Sequence, residues 1–173
     1  LQKEISDRFG WDFDAVVQNQ KDVWNGIFNR LDITTNDRLE KVRFYTNMYR
    51  ALCRNLWSDV NGEWVSPDEK VRKFTNPEHV ALGCDAFWNT FWNLNQLWAL
   101  ATPDIMNKWV ESLLEYYRVG GWLPNGPPGV EYCDIMGAQH EIPLMVSAYQ
   151  KGIRNYDADL AYEGLRKNAF PGG

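Results

Sequence analysis

The amino-acid sequence predicts an all-α chain of paired helices, a toroid of inner and outer helices or a portion of one, with a long loop or β-hairpin excursion. Three observations predict it. Apolar residues recur at helical spacing in six segments. Capping residues and Gly-Gly or Thr-Pro-Asp signals bracket those segments. The helices alternate between a buried, aromatic kind and a charged, outward kind at irregular spacing, which disfavours a tetratricopeptide-like solenoid.

The first helix is expected from about Phe13 to Arg30, where Val16, Val17, Val23, Trp24, Ile27 and Phe28 share helical spacing behind Asp12 as N-cap. The second lies in NDRLEKVRFYTNMYRALCRNLWSD, with Leu39, Val42, Tyr45, Tyr49, Leu52 and Leu56 on one face. Asp37 and Glu40 there resemble a capping box. These two helices should form a hairpin. Residues 59–82 carry turn signals at Asn61-Gly62 and Pro67-Asp68 between short Val, Trp and Phe runs, so a β-hairpin is expected. An excursion of that length is more often functional than passive.

The stretch CDAFWNTFWNLNQLWALATPD has no Lys, Arg or Glu between Asp85 and Asp104, which predicts a helix buried nearly all round. Asn89, Asn93 and Gln96 continue a stripe from Asp85 beside Trp88, Phe91 and Trp92. That stripe is either an amide ladder bonded to neighbouring helices or a face that lines a ligand. Thr102-Pro103-Asp104 starts the next helix, which Gly120-Gly121 stops after Val119. Its inward face is Ile105, Trp109, Leu113 and Tyr116, and Lys108, Glu111 and Glu115 are expected to face out. A helix from Glu141 to Gly152 and a last short one from Asp157 to about Lys167 complete the set.

With 173 residues, 45% apolar and 24% charged, the chain can bury a sizeable core as one globular domain. A net charge of -5 argues against nucleic acid as a partner. Cys53, Cys84 and Cys133 lack metal-ligand or disulfide-framework spacing and read as free thiols. No apolar run approaches a membrane span, and LQKEISDRFG lacks the features of a secretion signal. The Leu start and the NAFPGG end read as an excerpt of something longer. Nine Trp, eight Tyr and eight Phe serve either as core or as platforms for sugar rings.

The stretch GGWLPNGPPGVEYCDIMGAQHEIP interrupts the helices with glycine and proline. Its restricted path presents Val130, Glu131 and Tyr132. A loop Glu is commonly a solvated surface charge. Near Trp122 and Tyr132, partial desolvation of Glu131 would favour its protonated form, as an acid catalyst requires. His140 and Glu141 at a helix start are either structural or ligand-binding. Neither His has a matching nucleophile motif such as GxSxG, and no phosphate-cradling glycine loop appears.

FYTNMYRALCRN, SDVNGEW, AFWNTFWNLNQLW, GGWLPNGPPGVEY and HEIPLMVSAYQKGI together resemble, in order, the motifs of glycoside hydrolase family 92, calcium-dependent exo-acting α-mannosidases. The resemblance covers nearly the whole chain. It implies that residues 1–173 are a partial catalytic domain, the first half of an (α/α)6 barrel that in the family follows an N-terminal β-sandwich. It implies Glu131 as general acid, and Trp88 with Asn89 as the counterpart of a Trp-Asp pair lining the sugar site. Asn89 departs from that pattern, since an amide bonds hydroxyls but is no anionic acceptor. His140 matches a recurrent histidine, and Asp85, Trp122 and Glu141 complete the expected substrate-binding set. No metal ligand is expected in this chain; the family's general-base aspartates and calcium site lie downstream of the matched motifs.

The implied protein is a secreted or periplasmic, inverting hydrolase of terminal α-mannosides in glycans. It would depend on Ca2+ and on the remainder of the parent chain as partner, and these 173 residues alone are expected to be inactive. The alternatives are another (α/α)-barrel glycosidase, or a non-catalytic glycan-binding or helical interaction module.

Overall fold

In a computed structural model of the protein, residues 2–59, 61–129, 131–132 and 137–171 are described. Cys133 and Val130, singled out above, lie outside the described residues. The chain divides into two compact units, Leu1–Leu52 and Cys53–Gly173.

The first unit is helical. It contains α1 (Gln2–Phe9), which the sequence reading missed, α2 (Phe13–Phe28) and α3 (Arg38–Leu52). Asp12 caps α2 as expected, its carboxylate accepting the Ala15 N–H at 3.1 Å. The expected helical hairpin is held by rings: Trp24 lies 4.5 Å from Tyr49 and Phe28 lies 5.6 Å from Tyr45, centroid to centroid. The capping box at α3 is altered. Asp37 accepts the Leu39 N–H at 2.7 Å, while Glu40 accepts the Thr35 hydroxyl at 2.8 Å instead of reaching back to Asp37.

The second unit starts with β1 (Asn55–Leu56), so the second helix ends at Leu52, earlier than its apolar pattern suggested. β1 pairs antiparallel with β4 (Leu82–Gly83), Asn55 opposite Gly83. Between them stands the expected hairpin, β2 (Glu63–Val65) against β3 (Val71–Lys73), with Val65 opposite Val71. Its turn is braced by Asp68, which accepts from the Ser66 hydroxyl and from Arg72 Nη2 at 2.6 Å. These bonds and the Arg72 charge hold the Asp68 carboxyl well below the usual carboxylate range. Trp64 faces inward and forms a buried cluster with Phe74, Ala81 and Tyr116, against which Tyr132 packs.

Four helices follow: α4 (Leu94–Ala101), α5 (Pro103–Gly120), α6 (Glu141–Gln150) and α7 (Ala158–Ala169). The described residues thus hold seven α-helices against the six expected. α5 is central and packs on α4, α6 and α7. Its apolar face stacks Trp109 on Trp98 at 5.8 Å, meets Phe87 edge-on at 5.1 Å, and buries Met106, Val110, Leu113 and Leu114 completely. The Gly-Gly stop holds, Gly121 being the C-cap with its N–H on the Tyr117 carbonyl. Among the described residues no helix is long and apolar enough to cross a membrane.

Two expectations are overturned. The uncharged segment is not one helix buried all round. Asn89 takes left-handed backbone angles (φ 35, ψ 39), a 3-10 turn follows at Thr90–Trp92, and α4 starts only at Leu94. Trp88, Trp92 and Leu100 are 63%, 70% and 76% exposed, so the missing charges do not mark burial, and Asp85, Asn89, Asn93 and Gln96 form no single helical stripe.

Glu111 and Glu115 likewise do not face water; both are buried. Arg118 Nη1 lies 2.7 Å from Glu115 and 3.8 Å from Glu111, and His79 Nδ1 lies 3.5 Å from Glu111. Glu115 also accepts the Thr75 N–H at 3.2 Å. Burial outweighs the His79 and Arg118 charges and pushes the Glu111 carboxyl up.

Candidate active site

The C-terminal end of α5 and the N-terminal end of α6 are joined by the Gly/Pro-rich loop, whose described residues are tethered at several points. Cys84 N–H and the Trp57 indole both donate to the Pro127 carbonyl, at 3.0 and 3.2 Å. Phe87 N–H donates to the Asn125 carbonyl at 3.2 Å. The Tyr116 hydroxyl donates to the Gly129 carbonyl and accepts the Gly129 N–H. Tyr132 closes the other side, accepting the Trp122 N–H at 3.3 Å and donating to the Trp122 carbonyl at 2.9 Å. Burial pushes the Tyr116 phenol up to about 12 and raises that of Tyr132, so both remain hydrogen-bond donors at neutral pH.

The loop's composition follows from this tethering. A Cβ on Gly126 would stand 2.6 Å from the Ala86 Cα and 2.7 Å from its nitrogen, both backbone atoms, so the two segments meet closely only because that position has no side chain. Prolines in the same run present carbonyls without needing partners for a missing N–H.

The tethered loop forms one wall of an open cavity of about 780 Å³, with Trp122, Glu131 and Glu141 in its lining. The hairpin turn supplies Pro67 and Glu69, and α7 supplies Asn168. Trp122 is 48% exposed, and the Lys167 ammonium lies 4.6 Å from its ring centroid. Glu131 lines the same cavity as Trp122 and Tyr132 but is exposed, so the described residues do not give it the partial desolvation that the sequence reading attached to that neighbourhood.

The carboxyl kept from water is Glu141, 1% exposed at the start of α6. Desolvation pushes it up to about 7, against the lowering effect of its own backbone N–H and of Asn168, whose Nδ2 donates to Oε1 at 3.1 Å. Its Oε2 has no hydrogen-bond partner among the described residues.

Asp85, Trp88, Asn89 and His140 do not line this cavity. Asp85 is exposed and accepts the Ala86 N–H at 3.1 Å, beside the contact with Gly126. Trp88 is exposed and Asn89 half-buried in the turn before Thr90. His140 stacks on Phe91 at 5.6 Å and 18°, which joins that turn to the residue preceding Glu141. Glu69 and Asn168 escaped the sequence reading. The Pro67-Asp68 turn signal pointed to the segment that carries Glu69; Asn168 left no signal of its own. Among the described residues no group of three or more His, Cys, Asp or Glu could hold a metal ion.

Carboxyls and aromatic rings thus line one open cavity between the loop, the hairpin turn and α7. The chain belongs to glycosyl hydrolase family 92: the family's catalytic-domain sequence model matches residues 1–172. The structure is similar to that of the family GH92 alpha-mannosidase BT3965 from Bacteroides thetaiotaomicron, at TM-score 0.86 and 21% identity over 99% of this chain and 23% of that one. It is also similar to the same enzyme in complex with mannoimidazole, at TM-score 0.87 and 20% identity, with the same coverage. At that identity the likeness speaks for the fold, that of a partial helical barrel with a small sheet excursion. The chain spans about a quarter of the length of the solved structures it matches. It matches no curated protein.

Proposed function

We propose that this chain is part of an inverting, exo-acting α-mannosidase, that Glu131 protonates the departing glycosidic oxygen, and that the sugar lies in the cavity between the loop and the hairpin turn. The single observation that carries the reading is the gathering of Glu131, Glu141 and Trp122 in one cavity of a family 92 catalytic domain. The Trp122 ring offers a sugar a flat apolar face, and the carboxyls offer partners for its hydroxyls. Glu131 lines the cavity and is exposed, so a leaving sugar bound beside it can reach solvent. Trp88, Asn89, Asp85 and His140 extend the proposed binding surface along the segment that stacks on the start of α6.

Inversion needs a second carboxyl that activates water across the sugar ring. In this proposal that base and the calcium ligands are supplied by residues other than the described ones. Calcium, when bound, would polarise or orient mannose hydroxyls. The 173 residues alone then do not hydrolyse mannosides. On the resemblance alone, the protein is periplasmic or extracellular, and cell fractionation checks this.

The test uses leaving groups in the longer protein. With Glu131→Gln, hydrolysis of a mannose disaccharide should fall by about 10²–10⁴-fold, while an aryl mannoside whose phenolate leaves readily suffers much less. Equal losses on both substrates would remove the acid assignment.

A further inference from the structure

One side chain ties together three of the elements that form the cavity: α7, the loop and the start of α6. Asn168 Oδ1 accepts the Leu123 N–H at 3.3 Å, and its Nδ2 donates to the Leu123 carbonyl at 2.8 Å and to Glu141 Oε1 at 3.1 Å. Its own backbone carbonyl accepts from Gln139 Nε2 at 2.8 Å. Leu123 follows Trp122 directly, so a single amide sets both the loop that carries the ring and the orientation of the buried carboxyl. Sequence separations of 45 and 27 residues make these long-range contacts, independent of helix geometry.

A second, independent feature places that amide. Gly164 precedes Asn168 by one helical turn on α7, so both share a face. A Cβ on Gly164 would already stand 3.1 Å from Leu123 Cγ and Cδ1 and 3.3 Å from Tyr117 Cδ2. The absent side chain lets α7 press onto Leu123, which brings the amide within reach of both backbone groups.

The amide also distinguishes the two oxygens of Glu141. A donor on Oε1 makes it the accepting oxygen, and the buried Oε2 is left without a partner among the described residues. A proton on Oε2 removes the charge and keeps the Asn168 bond. We propose that Asn168 is a positioning residue: it fixes the loop at Leu123 and leaves Glu141 Oε2 as the proton-bearing oxygen, so that Glu141 meets the ligand as a neutral donor to a sugar oxygen. The ligand half of this inference rests on the mannosidase reading above; the coupling of Asn168 to Glu141 does not. Among the described residues, the charged and titratable groups that line the cavity with Glu141 are Glu69 on the hairpin turn and Glu131 and Tyr132 on the loop; His140 precedes it in the chain, and Lys167 on α7 stands over the Trp122 ring.

The test follows the Glu141 carboxyl carbon by NMR in protein labelled with 13Cδ-glutamate, with Glu141→Gln assigning the signal. Losing the Asn168 donor should move the Glu141 titration up by about one pH unit in Asn168→Ala. Asn168→Asp keeps an acceptor for the Leu123 N–H but loses the donor, so it should move the titration at least as far and serves if the alanine variant fails to fold. Mannoimidazole affinity in the longer protein should weaken as pH rises through the wild-type Glu141 titration, and that limb should move up with it in the variants. A titration that stays in place in a folded variant overturns the proposal, whatever the activity. Wild-type protein that neither binds mannoimidazole nor hydrolyses mannosides, with the titration moving as expected, instead overturns the mannosidase reading and the ligand half with it.

Discussion

Burial of Glu141 makes a quantitative claim about stability. The folded protein holds this carboxyl at about 7 against an ordinary value of 4.5. A carboxyl raised on folding binds its proton more tightly in the native state, so its contribution is fully present below pH 4.5 and is lost as pH rises through 7. At about 1.4 kcal/mol per pH unit, the loss is about 3 kcal/mol. Glu141→Gln keeps the shape and an acceptor for Asn168 but cannot ionise. Chemical denaturation followed by tryptophan fluorescence, at several values between about pH 4 and pH 8, gives the difference between variant and wild type. That difference should be nearly constant at the acid end and shift by about 3 kcal/mol in favour of the glutamine variant by the alkaline end. The raised Glu111 carboxyl also contributes to each curve, but it is common to both proteins and cancels in the difference. Parallel curves across the whole range would refute a neutral, buried Glu141.

Two further perturbations test the frame around the site. Gly126→Ala sets a methyl group against the Ala86 backbone and should cost about 1–3 kcal/mol in denaturant unfolding; a neutral result would show that the loop does not depend on that approach. Arg118→Met removes the cation beside two buried carboxylates and should cost about 3 kcal/mol at neutral pH, with part recovered in acid as the raised Glu111 carboxyl protonates. A variant as stable as wild type at every pH would contradict the ion cluster.

Much of the fold was legible because its signals are local. Asp12 before an apolar period, Pro103 at a helix start and Gly121 at a helix end act through neighbours within a turn, and the structure uses each of these positions at a helix boundary. The errors arose where distant partners decide. Glu111 and Glu115 read as outward because charge usually seeks water; His79 comes from a loop some thirty residues earlier, and helical period alone does not show a carboxylate turned inward toward it. The segment from Asp85 to Asp104 read as buried because it lacks charge, yet its exposed Trp88 and Trp92 flank a left-handed Asn89 that ends any continuous helix.

The site divides in the same way. Trp122, Glu131 and Glu141 belong to one loop and the helix that follows, and its Gly/Pro composition drew attention to them. Asn168 and Glu69 reach the cavity from α7 and from the hairpin turn, through packing that no short-range pattern encodes. Loop composition signalled where the chain turns, not which remote side chains would close the cavity.

A crystal structure of the longer protein with mannoimidazole tests the central claim most directly. The account predicts the sugar mimic in the cavity beside Trp122 and Glu141, with the Glu131 carboxyl within hydrogen-bond reach of the nitrogen that stands in for the glycosidic oxygen. A ligand bound elsewhere, or a Glu131 side chain directed into solvent away from it, would contradict the account.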